Sequence, residues 1–249
     1  MQSTHMSRAR LLRFLEELEQ TQDEFITVYL TTASMQAPTS TLLPLNVTDS
    51  RLSAISEAIE DEDVQRDARR YGTGLVVFYS EESLHAVVPP LPVQQDRALE
   101  GKPDTGALRE MVGDSYHVAL VLVTWGAYNA AVFQGMERKH GKKGTGHIHP
   151  HHKKGGSSQG RFQRRTEEQR REFLKRVGAR IDAEFEGEEV DYVFFGGNRL
   201  ILRPLKEHSL FMRRAEHRLI HRVLNVKRAD REAMDTAIED AFTSIVLRP

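Results

Sequence analysis

Residues 140–165, HGKKGTGHIHPHHKKGGSSQGRFQRR, constrain the fold most strongly, because they contain almost no apolar side chain. Such a stretch cannot form a core, so the core must be built from the chain on either side of it. The stretch is dense in lysine, arginine, histidine and glycine, and it leads directly into a charged helical pattern. Its glycines, at positions 141, 144, 146, 155, 156 and 160, are expected to make it flexible and to let its backbone come close to another surface. A long segment of this kind within a compact domain is usually either functional or disordered. We therefore expect it to carry the function of the chain.

The net charge of −1 hides a strongly basic segment. Residues 137–180 contain fourteen lysines and arginines against four glutamates, a net charge of +10, so the rest of the chain carries −11. A basic segment on an otherwise acidic protein predicts a local contact with a polyanion. A solvated charged helix is the alternative, but the basic loop and the basic helix adjoin, which favours the polyanion.

Composition excludes several classes of protein. The 39% apolar and 29% charged residues are ordinary for a globular protein, and 249 residues suit one large domain or two small ones. The longest apolar run, in His117–Trp125, is too short to cross a bilayer, and the first ten residues do not resemble a signal peptide. The absence of cysteine excludes disulfides, thiolate metal sites and cysteine nucleophiles, and it fits the cytoplasm. We expect a monomer without contact to a membrane.

The apolar periodicity predicts an α/β (α+β) chain in which strands and helices form layers in both halves. The expected strands are Phe25–Leu30, a hairpin of Gly74–Ser80 and Leu84–Val88, a hairpin of His117–Trp125 and Ala127–Gly135, and the segments DYVFFGG and RLILRPL. The expected helices are Ser7–Gln20, one beginning at Asp49 or Ser50, Thr166–Phe185 with a start nearer Gly160 as the alternative, Leu210–Leu224 and Arg228–Val246. Residues 1–6 are left out of this expectation because they resemble a cloning remnant.

Prolines and glycines concentrate between residues 89 and 104, which indicates a boundary there. We therefore expect an N-terminal layered domain over residues 7–100 and a second domain over residues 105–249. The second domain is expected to be a mixed sheet flanked by helices, with a long basic loop over residues 137–160.

The far end of the loop, Gly155-Gly156-Ser157-Ser158-Gln159, is its least basic part. Its neutral amides and hydroxyls can donate to a developing oxyanion or hold a water, but they are poor general bases. A site built from them would work mainly by positioning. Phosphate contacts are expected from the surrounding cations, Lys142, Lys143, Lys153, Lys154, Arg161, Arg164, Arg165 and Arg171.

Histidines are a second candidate feature of the loop. They lie at His140, His147, His149, His151 and His152. No cysteine or carboxylate accompanies them in the loop, so weak basic contacts to RNA are favoured over a transition-metal site. His217 and His221 have the i,i+4 spacing of a helical ligand pair, but the glutamate of a zinc-hydrolase helix is missing, which favours a packed or surface pair. We expect neither a metal nor a cofactor.

The stretch KKGGSSQGRFQRRTEEQRREFLKRV resembles the catalytic loop and following helix of the eukaryotic and archaeal class-I peptide release factors. The segments FITVYL, SRLSAISEAIE and GTGLVVFYS are similar, more weakly, to the first domain of that family. A stop-codon motif Asn-Ile-Lys-Ser is missing, and no room is left for a third, GTPase-binding domain. The tip is GGSSQ instead of GGQ, which resembles the Vms-type release-factor homologues, peptidyl-tRNA hydrolases of ribosome-associated quality control with actinobacterial members.

This resemblance implies codon-independent hydrolysis of the ester between a stalled nascent chain and its tRNA on the large ribosomal subunit. The partners would be peptidyl-tRNA and ribosomal RNA. If Gly155 and Gly156 are aligned with the family glycines, Ser157 occupies the family glutamine position, yet Gln159 is the only amide at the tip and is the favoured catalytic residue. Two alternatives stay open: a nuclease that removes the CCA end of the tRNA, and a non-catalytic module that binds the ribosome or RNA.

Overall fold

The computed structural model describes residues 1–42, 48–113, 115–146 and 159–249, and for residues 39–40 and 159–163 it describes the backbone alone. The described chain forms two compact units. The first unit comprises Met1–Ser115 with Ile220–Arg222 and Glu239–Pro249. The second unit comprises Tyr116–Leu219 with Val223–Ile238.

The strands were numbered in chain order. They are β1 (Gln2–Met6), β2 (Phe25–Leu30), β3 (Leu75–Tyr79), β4 (Leu84–Val88), β5 (Arg97–Gly101), β6 (His117–Thr124), β7 (Ala127–Gln134), β8 (Glu137–Thr145), β9 (Tyr192–Gly197), β10 (Leu219–Leu224) and β11 (Ser244–Arg248).

The helices were numbered in the same way. They are α1 (Arg8–Gln20), α2 (Thr39–Leu42), α3 (Asp49–Glu60), α4 (Glu62–Tyr71), α5 (Gly106–Met111), α6 (Gln159–Glu184), α7 (Arg199–His208), α8 (Leu210–Arg214) and α9 (Arg231–Ala241), with short 3-10 turns at Ser34–Gln36 and Glu216–Arg218.

The first unit is built on an antiparallel sheet in the order β1-β11-β4-β3-β2-β5. Every residue of β2 is buried, which matches its uninterrupted β-branched and aromatic sequence. Apolar residues of α3 and α4 pack against one face of the sheet. On the other face, the ring of Phe14 in α1 meets His85 of β4 edge-on at 5.1 Å between centroids. The predicted hairpin of β3 and β4 is confirmed.

Three strands of this sheet differ from the sequence expectation. Residues 2–6, set aside as a remnant, form β1 and pair with β11. The stretch 89–104, expected to separate two domains, contains β5, which pairs with β2, and the two units divide at Ser115. The predicted helix Arg228–Val246 is wrong at its end, because α9 stops at Ala241 and β11 enters the sheet between β1 and β4.

The second unit is built on a mixed sheet in the order β10-β9-β6-β7-β8. Strands β9 and β6 are parallel, as are β10 and β9, whereas β6, β7 and β8 form an antiparallel meander. One face of β6 and β7 packs against the buried side of α6 and against α7 and α8. The expected mixed sheet flanked by helices is confirmed, and so is the α/β class with a layered sheet in each half.

Two predictions about the C-terminal part are wrong. RLILRPL, expected to be strand-like, is helix α7, with Pro204 inside it. The predicted helix Leu210–Leu224 is divided into α8, a 3-10 turn and strand β10. Consequently His217 and His221 do not share a helix face, because one lies in the turn and the other in the strand, and both are exposed. Within the described ranges, no helix is long and apolar enough to cross a bilayer.

Candidate functional site

The expected loop 137–160 is shorter than the sequence suggests. Its first nine residues form the edge strand β8, which pairs with β7 along its length. Helix α6 begins at Gln159, which agrees with the alternative start near Gly160 and lies seven residues before Thr166. Gly155, Gly156, Ser157 and Ser158 of the predicted tip, and Lys153 and Lys154, lie outside the described residues. The side chains of Gln159 and Arg161 are also outside what the structure describes.

Glycines hold β8 tightly against the rest of the second unit. A Cβ atom on Gly144 would lie 2.5 Å from the ring of Tyr128, its cross-strand partner, and one on Gly146 would lie 2.6 Å from the ring of Phe173 in α6. A Cβ atom on Gly141 would lie 2.6 Å from the carbonyl oxygen of Ala130. These glycines were expected to make the loop flexible, but here they permit close packing within the protein. The strand that leads into the GGSSQ segment is therefore firmly seated.

Helix α6 changes character along its length. From residue 164 to residue 172 its side chains are exposed or half-buried, and burial begins at Phe173. The predicted apolar side is confirmed, because Phe173, Leu174, Val177, Ile181 and Phe185 are all buried in the core of the second unit. The basic beginning of α6 is thus accessible, whereas its second half is anchored on the sheet.

Five of the described cations around this segment carry no carboxylate partner, whereas Lys139 pairs with Glu137 at 3.0 Å. Lys142 and Lys143 are exposed on β8, and Arg164, Arg165 and Arg171 are exposed on α6. Within the part of the chain that the structure describes, none of these five forms an ion pair. The first unit is different, since it pairs Arg51 with Glu81 at 2.6 Å, for example. Unpaired, exposed cations remain available to bind the phosphates of a partner.

A stacked arginine–tryptophan pair at the first half of α6 was not predicted from the sequence. The single tryptophan, Trp125, lies in the β6–β7 turn, and the guanidinium of Arg170 stacks on its ring at 4.7 Å from the centroid. The Nε atom of Arg170 is buried without a hydrogen-bond partner among the described residues. Such stacking fixes a guanidinium in place while leaving its edge available to donate. A tryptophan at a hairpin turn was the only sequence signal for this pair.

His140 belongs to the scaffold of the site. It lies in β8, where its Nδ1 is 2.9 Å from Oε1 of Glu184 and its Nε2 is 3.0 Å from Oε1 of Glu188. The hydrogen bond with Glu184 raises the pKa of His140, and the negative charge of Glu188 adds to this effect. The ring of His140 therefore joins β8 to the end of α6, and its expected contact with RNA stays a prediction. The other four histidines of the loop lie outside the described residues.

In the described ranges, no group of three or more histidine, cysteine, aspartate or glutamate side chains could hold a metal ion. A cleft of about 600 Å³ lies at the far end of α6, lined by Asp182, Phe185, Phe211, Arg214 and His217 among others, and it is distant in sequence from the GGSSQ segment.

Comparison with known proteins bears on the second unit above all. A family model described as "Actinobacteria/chloroflexi VLRF1 release factor" matches residues 116–247. No curated protein sequence matches the chain. Similar solved structures include an archaeal translation termination factor, aRF1, at 18% identity and a TM-score of 0.40, with 95% of this chain and 70% of that chain covered.

Two further structures are similar at lower identity. The Vms1 mitochondrial localization core shares 11% identity at a TM-score of 0.39, with 86% of this chain and 95% of that chain covered. Pelota from Archaeoglobus fulgidus shares 11% identity at a TM-score of 0.29, with 96% of this chain and 63% of that chain covered. At these levels the structural likenesses add nothing to the family match.

The family match covers β6 to β11, so it includes the GGSSQ segment together with β8 before it and α6 after it. It extends over more than half of the 249 residues. The chain therefore belongs to the Actinobacteria/chloroflexi VLRF1 release factor family.

Proposed function

We propose that this protein hydrolyses the ester bond of peptidyl-tRNA on stalled large ribosomal subunits, independently of a codon, with its GGSSQ segment as the catalytic tip. Membership of a release factor family supports a release or rescue role in translation. One observation carries the finer proposal. The polar segment that contains the tip joins β8, the edge strand of the second sheet, to α6, which packs on that sheet. The five exposed cations on β8 and α6 described above form no ion pair with any residue that the structure describes.

The proposed chemistry is the attack of a water on the ester carbonyl carbon. The bond from this carbon to the ribose 3′ oxygen breaks, the peptide leaves as a carboxylic acid, and the 3′ oxygen takes up a proton. Gln159 is the first residue of α6, so its backbone N–H has no acceptor within the helix. That N–H would stabilise negative charge on the ester oxygen or the 3′ oxygen, and the Gln159 amide would orient the water.

The remaining tip residues have supporting roles in this proposal. Gly155 and Gly156 allow the chain to turn beside the CCA end of the tRNA, and Ser157 and Ser158 supply neutral donors. None of the five side chains at the tip is a strong base, so the rate enhancement would come from positioning and charge stabilisation. Lys142, Lys143, Arg164, Arg165 and Arg171 would hold the neighbouring phosphates, together with Lys153, Lys154 and Arg161.

The test is a release assay that resolves both products. Purified protein is incubated with stalled peptidyl-tRNA on large subunits, and the peptide and the tRNA are analysed separately. We expect the wild type to release peptide and intact deacylated tRNA, and Gln159→Ala to abolish release while changing the free energy of unfolding by less than about 0.5 kcal/mol. Gln163→Ala removes an amide one turn further along the same helix and serves as the matched control.

The other outcomes favour the two alternatives. A tRNA shortened at its CCA end would indicate a nuclease, in which the tip directs attack by a ribose 2′ hydroxyl. Binding without either product would leave only a non-catalytic module. Full release by Gln159→Ala would contradict the proposed role of this residue.

A further inference from the structure

A second basic segment follows the one found between residues 137 and 180. Residues 199–228 contain nine lysines and arginines against two acidic residues, a net charge of +7. Its first part was expected to be strand-like, which would have placed alternate residues in the core. Because it forms helix α7 instead, it exposes Arg199 and Arg203 to solvent, four residues apart in the sequence.

Helix α7 packs directly against α6. A Cβ atom added to Gly178 in α6 would overlap the carbonyl oxygen of His208, so the two backbones touch at this point. One turn further along α6, Asp182 accepts hydrogen bonds from the hydroxyl of Ser209 at 2.6 Å and from the backbone N–H of Phe211 at 2.9 Å. These contacts fix the position of α7 relative to the basic helix α6.

Helix α7 and the GGSSQ segment follow strands that end at the same edge of the sheet. Strands β8 and β9 run in the same direction, because β9 is parallel to β6 and β8 is related to β6 through two antiparallel pairings. Helix α7 follows β9 directly, and Asn198 caps its first turn by accepting from Leu200 N–H. The GGSSQ segment follows β8, and its strand ends at the same edge. Arg199 therefore lies on the side of the second unit from which the GGSSQ segment departs.

The charges on this pair of helices are free to bind a ligand. In the described part of the chain, Arg199 and Arg203 on α7, and Arg171 and Lys175 on α6, form no ion pair. Lys206 at the other end of α7 is different, since its Nζ lies 2.9 Å from Oε1 of Glu216. A protein partner would require a contiguous apolar centre, whereas the exposed large apolar side chains on and next to α7 are two leucines ten residues apart, Leu200 and Leu210. Unpaired cations without such a centre fit a phosphodiester backbone.

We propose that α7 provides a second RNA contact, in which Arg199 and Arg203 bind the phosphate backbone of large-subunit ribosomal RNA beside the site of the GGSSQ segment. The identity of the RNA rests on the proposed function. The contact would fix the orientation of α6, and so of the tip, more firmly than cations on a single helix.

The test compares Arg199→Ala/Arg203→Ala with Arg10→Ala/Arg13→Ala, which removes the same charge from exposed positions of α1. Binding to intact large subunits and to extracted large-subunit ribosomal RNA is measured over a range of salt concentrations. We expect the α7 variant to bind both roughly tenfold more weakly, and the slope of log affinity against log salt to fall by about 2. The α1 variant should bind as the wild type does, and thermal unfolding should show that both variants are folded.

Two outcomes would overturn this inference. One is unchanged affinity and salt dependence in the α7 variant. The other is weaker binding to subunits with unchanged binding to the extracted RNA, which would indicate a protein partner. Peptide release by the wild type, measured in parallel, separates this inference from the proposed function. If the wild type releases no peptide but the α7 substitutions weaken binding as expected, only the proposed hydrolase activity is contradicted.

Discussion

At the scale of single residues, the site depends on positions where no side chain fits. Gly144 lies beneath the ring of Tyr128, and Gly146 lies against Phe173, so β8 can approach its neighbours more closely than any other residue type would allow. An aromatic ring over a cross-strand glycine also compensates for the apolar surface that glycine lacks. These contacts fix the strand from which the GGSSQ segment departs, and they explain glycines that the sequence suggested were there for flexibility.

His140 makes stability depend on pH. Its folded-state pKa is raised by Glu184 and Glu188, so its contribution to stability is fully present below the unfolded pKa of about 6.5 and is lost as the pH rises through the higher folded value. We expect His140→Ala to reduce the free energy of unfolding by up to about 1 kcal/mol at pH 5.5, a modest effect because solvent partly screens the side chain. The reduction should be smaller at pH 8.5, because the contribution of His140 is lost as the pH rises.

Denaturant unfolding of the two proteins at both pH values measures this difference. His5→Ala, at an exposed position of β1, controls for the loss of a histidine as such. An equal effect of His140→Ala at both pH values would contradict the proposed pairing.

At the scale of elements, the contact between α6 and α7 determines the shape of the basic surface. Gly178 lies where the two helices touch, and Asp182 binds the beginning of α8 one turn later. The acidic end of α6 is opposed to the helix dipole, and His140 beside Glu184 offsets this when its ring is protonated. The second half of α6 is therefore held by the sheet, by α7 and α8, and by His140 of β8. This anchoring allows the first half of α6 to extend with accessible cations.

Substitution of Gly178 tests this contact. Alanine is the better helix former by about 1 kcal/mol, yet a Cβ atom here would overlap the carbonyl oxygen of His208 and force the helices apart. We expect Gly178→Ala to destabilise the protein by a net 1–2 kcal/mol, roughly the overpacking cost less the gain in propensity. Gly106→Ala, at a helical glycine whose added Cβ would have its nearest neighbour at 3.5 Å, is expected to be neutral or stabilising. Thermal unfolding distinguishes them, and an equal gain in both would argue against the helix contact.

At the scale of the whole molecule, the first unit draws on both ends of the chain. Strand β11 lies inside its sheet, between β1 and β4, although it is the last strand in the sequence. Ile245, Val246 and Leu247 are completely buried there. At roughly 1.5–3 kcal/mol for each buried side chain, their burial is comparable to the net stability of a typical domain.

A fragment of residues 1–115 should therefore fail to fold by itself. It lacks β11, so β1 loses its pairing partner and one edge of β4 is left open. We expect no cooperative thermal transition in this fragment. Fusing residues 239–249 to its C-terminus through a flexible linker should restore the transition. Identical cooperative unfolding of the two fragments would contradict the structural role of β11.

Much of the fold follows from local sequence. Segments rich in β-branched and aromatic residues, such as FITVYL and HVALVLVT, form strands where expected, because their side chains suit a buried pleated surface. The apolar spacing of α6 was predicted correctly for the same kind of reason. The segment RLILRPL was not, because its cluster of apolar residues fits either a strand or a buried helix face.

The sequence by itself determined that residues 140–165 are basic, rich in glycine and almost free of apolar side chains, and it predicted that they contact a polyanion. Only the tertiary structure decided that residues 137–145, the beginning of the expected loop, form an edge strand, because β8 is held by backbone pairing with β7 and by glycine packing, and neither leaves an apolar pattern. It likewise decided that β11 completes the first sheet and that α7 lies beside α6. Such pairings join residues distant in the chain, and local composition carries no record of which distant segment will be the partner.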